Sequence, residues 1–315
     1  MSRMPDMVNS ADLIIQQLEA AGFRAALIPF SCIKQIAAIY DAHVEESVNL
    51  QFSLKEGFRT SQPPDISFEP LSFLVITFQS SEGEIRLRHK GKEISLPIPP
   101  TYLDESAMQR CDETLKQAAD DWQLEKVKGI SLKLLAVMSG LGKYGRNNLC
   151  YVDGIGSNCN FCAYYTDIPC DGSAREPELM DACGSCSLCV GNCPTGALGG
   201  ALPIEIMRCL TMLNEFDAPM PDWLSPNVHH AVVGCLRCQE VCPVNLAASS
   251  IKKEPLELSY EETSLLLELT SEKLPSELVK KIADYGIWKS FISLAGRNIA
   301  LAIHAGQGGT NNAKR

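Results

Sequence analysis

Cys183-Gly-Ser-Cys186-Ser-Leu-Cys189-Val-Gly-Asn-Cys193-Pro194 sets four cysteines at gaps of two, two and three residues and closes on proline. Three thiolates from one tight loop can take three irons of a 4Fe–4S cube, while the fourth, ahead of the proline, points away to a second cube. A second motif is therefore expected, and Cys235-Leu-Arg-Cys238-Gln-Glu-Val-Cys242-Pro243 supplies it. That motif is one cysteine short, because Val232 stands where its first ligand would be, and Cys209 is the available replacement. The crossover assigns Cys183, Cys186, Cys189 and Cys242 to cluster one, and Cys193, Cys209, Cys235 and Cys238 to cluster two. Zinc is the competing metal, since paired CxxC motifs also build four-cysteine zinc sites. Zinc sites rarely carry a three-gap run ending in Cys-Pro, so two 4Fe–4S clusters are the reading. Such clusters pass single electrons, and the work of the protein is redox.

The rest of the composition agrees. The chain has 315 residues, a formal charge of −10 and 14 cysteines, with 45% hydrophobic and 21% charged residues. That length buries a core without disulfide staples, and those fractions exclude a disordered or collagen-like chain. No apolar run approaches a membrane span, and Met1-Ser-Arg-Met-Pro-Asp-Met enters an amphipathic pattern with no signal-peptide core. A cytoplasmic protein with no membrane partner is expected, where thiols stay reduced and a cysteine-rich chain points to metal.

Periodicity divides the chain into an α/β domain over 1–175, a ferredoxin-like dicluster module over 176–250 and a helical region over 251–315, an α+β protein as a whole. In the first domain Ser10 is placed to cap a helix over 11–20, with a strand at 23–30 and a helix over 32–44. An apolar strand at 73–78 and a hairpin over 84–97 around Gly91 follow. Helices are expected over 104–123 and 131–139, and a strand over 148–152. Residues 183–248 are dense in Cys, Gly and Pro and need something besides a hydrophobic core to hold them. Helices at 261–269, 276–285 and 288–304 complete the pattern, and the last ten residues read as frayed.

Gly140-Leu-Gly-Lys-Tyr-Gly145 spells GxGxxG, but it ends a helix and precedes a strand, the reverse of a dinucleotide fingerprint. Its glycines suit a turn or a close backbone approach. The stretch Leu134-Leu-Ala-Val-Met-Ser-Gly-Leu-Gly-Lys-Tyr-Gly-Arg-Asn-Asn148, with Thr166-Asp-Ile-Pro169 and the dicluster motifs, resembles the epoxyqueuosine reductase family. It is similar more distantly to the reductive dehalogenases. Arg297-Asn-Ile-Ala300 looks like the start of that family's C-terminal helical repeats. The resemblance covers residues 125–300 well and the first 125 weakly. It implies that the N-terminal domain is of corrinoid type and holds base-off cobalamin, which the clusters would reduce to Co(I). It also implies that Gly140, Gly142, Gly145, Arg146 and Asn147 lie against the corrinoid.

The sequence departs from that pattern in three places. The family's proton-donating Asp falls on Lys126, with Glu125 beside it, and a family Glu falls on Leu132. Glu125, Lys126 and Tyr144 are therefore the candidate proton donors, with Tyr164, Tyr165 and Lys128 as weaker ones. The charge of −10 argues against a nucleic-acid substrate, because phosphate contacts dominate such affinity. The repeat region is short. These departures point to a relative with a small organic substrate, fed by a donor such as ferredoxin or flavodoxin. The alternative is a corrinoid-free dicluster protein that passes electrons to, or activates, a partner enzyme.

Six cysteines remain. Cys150, Cys159, Cys162 and Cys170 form C-x8-C-x2-C-x7-C, which admits a third metal centre, or else Cys150 and Cys170 as buried small hydrophobes with the Cys159/Cys162 pair near the cofactor. Cys32 and Cys111 read as core residues. His229-His230 reads as a surface pair at a helix start, or as a group near a cofactor.

Overall fold

The computed structural model describes residues 4–44, 65–103, 105–200, 204–269, 273–287 and 289–308. Its elements in chain order begin with α1 (Met4–Ala20), β1 (Arg24–Pro29), α2 (Ile33–Val44) and β2 (Ser72–Gln79). The hairpin β3 (Ser81–His89) and β4 (Lys92–Ile98) follows, then α3 (Glu105–Ala118), β5 (Leu124–Lys126) and α4 (Leu132–Met138). Short strands β6 (Lys143–Tyr144) and β7 (Cys150–Tyr151) lead to the long β8 (Cys159–Thr166). The chain divides into two compact units, residues 1–79 with 107–186, and residues 80–106 with 187–315. This differs from the expected boundaries at 175 and 250. The β3–β4 hairpin falls in the second unit, together with residues 187–250 of the dicluster module and the C-terminal helices.

In the first unit the sheet order is β1-β2-β8-β5, and every neighbouring pair is antiparallel. Strand β2 is buried along nearly its whole length because both faces of the sheet are covered. Phe73 and Val75 pack with α2 and α4 on one face, while Leu74, Ile76 and Phe78 pack with α1 and α3 on the other. That two-sided burial explains why Phe73–Phe78 reads as a continuous apolar run. An α/β domain suggests parallel strands, and this sheet has none. Strand β8 was hidden by its cysteines, and the expected strand at 148–152 is only the two residues of β7.

Ser10 lies inside α1 rather than at its start, because the helix runs from Met4. Asp104, Trp288 and residues 309–315 lie outside the described residues.

In the second unit, β3 and β4 join through Lys90 and Gly91, both at positive φ, the backbone of a two-residue type I′ hairpin turn. Strands β9 (Ile251–Lys252) and β10 (Leu256–Leu258) pair parallel with β3. Three helices follow: α9 (Tyr260–Glu268), α10 (Ser276–Asp284) and α11 (Lys289–Gly308). Ser259 and Glu262 form a capping box at the start of α9, satisfying two otherwise unpaired backbone N–H groups. Ile85, Leu87, Leu96 and Ile98 of the hairpin share one core with Leu266, Leu278, Ile282, Ile299 and Ile303 of these helices. No helix among the described residues is long and apolar enough to cross a membrane.

Candidate metal centres

The four cysteines assigned to cluster two all lie in the second unit. Cys193 precedes Pro194, and the N–H groups of Thr195, Ala197 and Leu198 turn toward its sulfur. Burial raises this thiol, but those N–H groups and the Thr195 hydroxyl outweigh it and hold Cys193 below the ordinary cysteine value. Cys209 caps α6 (Leu210–Glu215), with the Thr211 and Met212 N–H groups facing it. Burial still raises Cys209, and the neighbouring Cys193 adds to that. Burial pushes Cys235 up to about 12, and the charges of Cys209 and Cys193 push in the same direction. Cys238 follows in α7 (Arg237–Glu240), one turn on. Mutually repelling thiolates held together with N–H donors suit a cationic iron centre.

The loops that carry these ligands are fixed from several sides. The Leu236 N–H donates to His230 Nε2 at 3.2 Å, which puts the imidazole proton on Nδ1, 3.1 Å from the Val228 carbonyl. Asn192 Nδ2 donates to the Arg237 carbonyl, so the two cysteine motifs are tied to each other. Gly234, at φ +64°, lets the chain rest on the Tyr102 ring, where a Cβ would meet Cε2 at 2.5 Å. The Tyr102 hydroxyl donates in turn to Glu215. From α11, Arg297 donates to the carbonyls of Leu213, Asn214, Phe216 and Ala218, and Asn298 to those of Asn214 and Val232. Asn214 completes the brace by donating to the Gly234 carbonyl at 2.8 Å.

Sequence reasoning missed this bracing. Arg297-Asn298 carries the resemblance to the start of a helical repeat, and in the structure Arg297 holds carbonyls between 213 and 218 while Asn298 holds those of Asn214 and Val232. The His229-His230 pair is not a surface pair either. His229 is buried at 4% exposure, and burial, with help from Arg297 and His230, lowers it to about 4.

The ligands assigned to cluster one fall in both units, Cys183 and Cys186 in the first, Cys189 and Cys242 in the second. Cys189 is buried on α5 (Leu188–Gly191), and Cys242 caps α8 (Pro243–Ala247) with Pro243 at the first helical position. Cys183 accepts the Arg146 backbone N–H at 3.4 Å, and Arg146 Nη2 donates to the Cys183 carbonyl at 2.6 Å. Among the described residues no three His, Cys, Asp or Glu side chains converge as a single-ion site requires.

The candidate proton donors separate onto opposite faces of the sheet. Glu125 pairs across strands with Tyr165, so both side chains share the α2–α4 face. Tyr165 is fully buried, its hydroxyl has no hydrogen-bond partner among the described residues, and burial with the Glu125 charge pushes it up to about 12. Lys126 pairs with Tyr164 on the other face, where its ammonium lies 3.6 Å from Asp112 and 5.9 Å from the Tyr164 ring centre. Tyr164 donates to Asp112 as well. Neighbouring strand positions point apart, so Glu125 and Lys126 cannot serve one substrate together. Tyr144 is half-buried, packs against the α2–α4 face, and uses its backbone N–H and carbonyl to pair with Glu178 and Met180.

Gly140, Gly142 and Gly145 owe their identity to close approaches within the chain. A Cβ on Gly140 would meet the Arg175 guanidinium at 2.5 Å, and φ there is +82°. At Gly142 it would lie 2.6 Å from Cys150 Sγ, and at Gly145 2.4 Å from the Tyr151 ring. Asn147 Nδ2 donates to the Tyr151 hydroxyl at 2.9 Å, and Arg146 is engaged with Cys183 and Gly184. The three glycines are thereby accounted for by contacts within the chain itself. The space their missing side chains leave is filled by the protein itself.

The four extra cysteines are not brought together on one face of the sheet. Cys159 and Cys162 lie three residues apart on β8 and so project from opposite faces. Each of the four has a different neighbour. Cys162 lies 3.5 Å from Cys111 of α3, Cys159 is close enough to Cys150 to feel its charge, and Cys170 acts likewise on Cys32. Burial pushes Cys32, Cys150 and Cys159 up to about 12, the state of neutral, packed thiols.

Comparison with known proteins agrees with this division. Residues 182–245 match the 4Fe-4S double cluster binding domain, and the donor set above supports two 4Fe–4S clusters. An epoxyqueuosine reductase of Staphylococcus aureus is 32% identical over 116 residues, 37% of this chain and 30% of that protein. One from Cyclobacterium marinum is 30% identical over 158 residues, half of each chain. The matches thus span half or less of these relatives. In structure, an epoxyqueuosine reductase from Bacillus subtilis covers 98% of this chain and 87% of its own, with a TM-score of 0.63 at 18% identity. Another, solved with an epoxyqueuosine-modified tRNA stem loop, gives 0.64 at 17% identity, covering 95% of this chain and 82% of its own. The chain is similar to epoxyqueuosine reductases in sequence and shares their fold.

Proposed function

We propose that this protein is a cytoplasmic iron–sulfur oxidoreductase in which two 4Fe–4S clusters pass single electrons from a donor such as ferredoxin or flavodoxin to an acceptor. The observation that carries this reading is the gathering of Cys193, Cys209 and Cys235 in one braced, donor-lined set within the matched double-cluster domain. On the resemblance, the acceptor is cobalamin and the final substrate a small organic molecule or a modified tRNA. Glu125 is then the better placed acid, because it shares the face of the sheet that α4 covers, the helix leading into the glycine loop.

A specific observation favours a second reading, a corrinoid-free dicluster protein serving a partner enzyme. In the loop that the resemblance sets against cobalamin, a Cβ on Gly140, Gly142 or Gly145 would meet Arg175, Cys150 or Tyr151. One experiment separates the two. The anaerobically purified protein is titrated with cobalamin while its visible spectrum is followed. A base-off spectrum saturating at one equivalent supports the corrinoid reductase, and an unchanged cobalamin spectrum supports the corrinoid-free protein. Reduction of both clusters by dithionite is expected in either case, and a protein without reducible iron would overturn the oxidoreductase reading itself.

A further inference from the structure

Arg146, outside the cysteine motifs, directly contacts an assigned cluster ligand. Its backbone N–H points at Cys183 Sγ at 3.4 Å, and its guanidinium holds the carbonyls of Cys183 and Gly184 at 2.6 and 3.1 Å. The aim of that amide is fixed by its surroundings. Tyr144 N–H donates to the Glu178 carbonyl at 3.0 Å, and Met180 N–H donates to the Tyr144 carbonyl at 2.8 Å. Lys143 lies 3.8 Å from Glu178 and 3.9 Å from Asp181. Gly145 then turns the chain where any side chain would strike Tyr151. Residues 143–146 and 178–184 are thereby laced together within the first unit. The Arg146 Nε is buried with no hydrogen-bond partner among the described residues, so part of the guanidinium has given up water.

We propose that Arg146 is a positioning residue for cluster one, which sets the reduction potential of that cluster by donating its amide to the Cys183 thiolate and fixing the ligand loop with its guanidinium. This rests on the reading that Cys183 ligates a 4Fe–4S cluster. An N–H donor draws electron density from the ligand sulfur, and a nearby positive charge favours the reduced, more negative cluster. Both raise the potential of cluster one and leave cluster two untouched. The glycine-basic-asparagine signature then belongs to the cluster ligand, a role that the corrinoid assignment did not give it.

The test is a redox titration of the anaerobic protein followed by EPR, with wild type, Arg146→Ala, Arg146→Gln and Arg146→Lys compared. In Arg146→Ala one of the two couples is expected to move to lower potential while the other stays in place. Arg146→Lys is expected to recover part of that shift, and Arg146→Gln, which retains a donor for the loop without the charge, to fall between. If Arg146→Ala loses iron, the Gln and Lys variants carry the test, and wild-type potentials in both would overturn the proposal. Two unmoved couples in an iron-replete Arg146→Ala protein would overturn it as well. Cys183→Ser separates the underlying reading. Loss of one EPR signal supports the ligand assignment, and retention of both clusters would overturn that assignment and the proposal together.

Discussion

The cysteines on the sheet and those of the motifs at 183–242 are one residue type in different backbone settings. On the sheet, Cys150 and Cys159 are kept neutral thiols by burial, and Cys162 is raised by its contact with Cys111 and by burial. In the motif loops, Cys193 is lined by backbone N–H groups that favour its thiolate, and Cys209 and Cys235 are gathered with it. The sheet cysteines are held in place by the fold. The motif loops have little apolar core of their own and are held by arginine, asparagine and histidine braces and, on the proposed function, by iron. Spacing alone marks both sets as metal candidates, and backbone context tells them apart.

The comparison can be broken most sharply at Cys209. Cys209→Ser is expected to remove cluster two and lower the iron content from about eight to about four per chain. Iron analysis and EPR check this, and unchanged values would remove Cys209 from the ligand set. A core substitution on the sheet should do the opposite. Phe73→Ala, which removes a fully buried ring packed on Phe30 and Tyr165, is expected to destabilise the protein by about 3–5 kcal/mol with iron unchanged, as read from urea unfolding.

An acid shift comes next in size. His229 is held neutral in the folded protein, with its value lowered from 6.5 to about 4, so the unfolded chain binds an extra proton between those values. Stability is therefore expected to fall as pH drops from about 6.5 toward 4, by up to about 3 kcal/mol, and to be unaffected by this group above 7. In His229→Asn that part of the acid sensitivity should vanish, as urea midpoints across the pH range would record. Smallest of all, Cys162→Ala is expected to cost about 1 kcal/mol and leave iron content and EPR spectra as in wild type. Loss of iron in that variant would restore the third-centre reading that the strand geometry opposes.

The cluster motifs were legible because their chemistry is local. Each run fixes three ligands within one tight loop, and the crossover rule supplies the fourth. The hairpin around Gly91 was equally plain, since a tight turn with φ above zero has its own signature. Strand β8 was not, because its cysteines suggested metal while its pairing partners, β2 and β5, lie far away in sequence. The same distance hid the second unit, where residues 80–106 join a core built mostly from residues 232–303. The glycine loop is a place of close backbone approach, which its composition suggests. What approaches it, Cys150 and Tyr151, could be learned only from the fold. Arg297 and Asn298 were visible as a motif, but the four carbonyls they brace near residue 214 carry no side-chain signal.

The central claim is that eight of the fourteen cysteines hold two 4Fe–4S clusters. The most direct measurement is iron, sulfide and zinc analysis of the anaerobically purified protein together with Mössbauer spectroscopy. About eight irons per chain, all in cubane clusters and with no zinc, is the predicted result. About four irons, or zinc bound in place of iron, would contradict it.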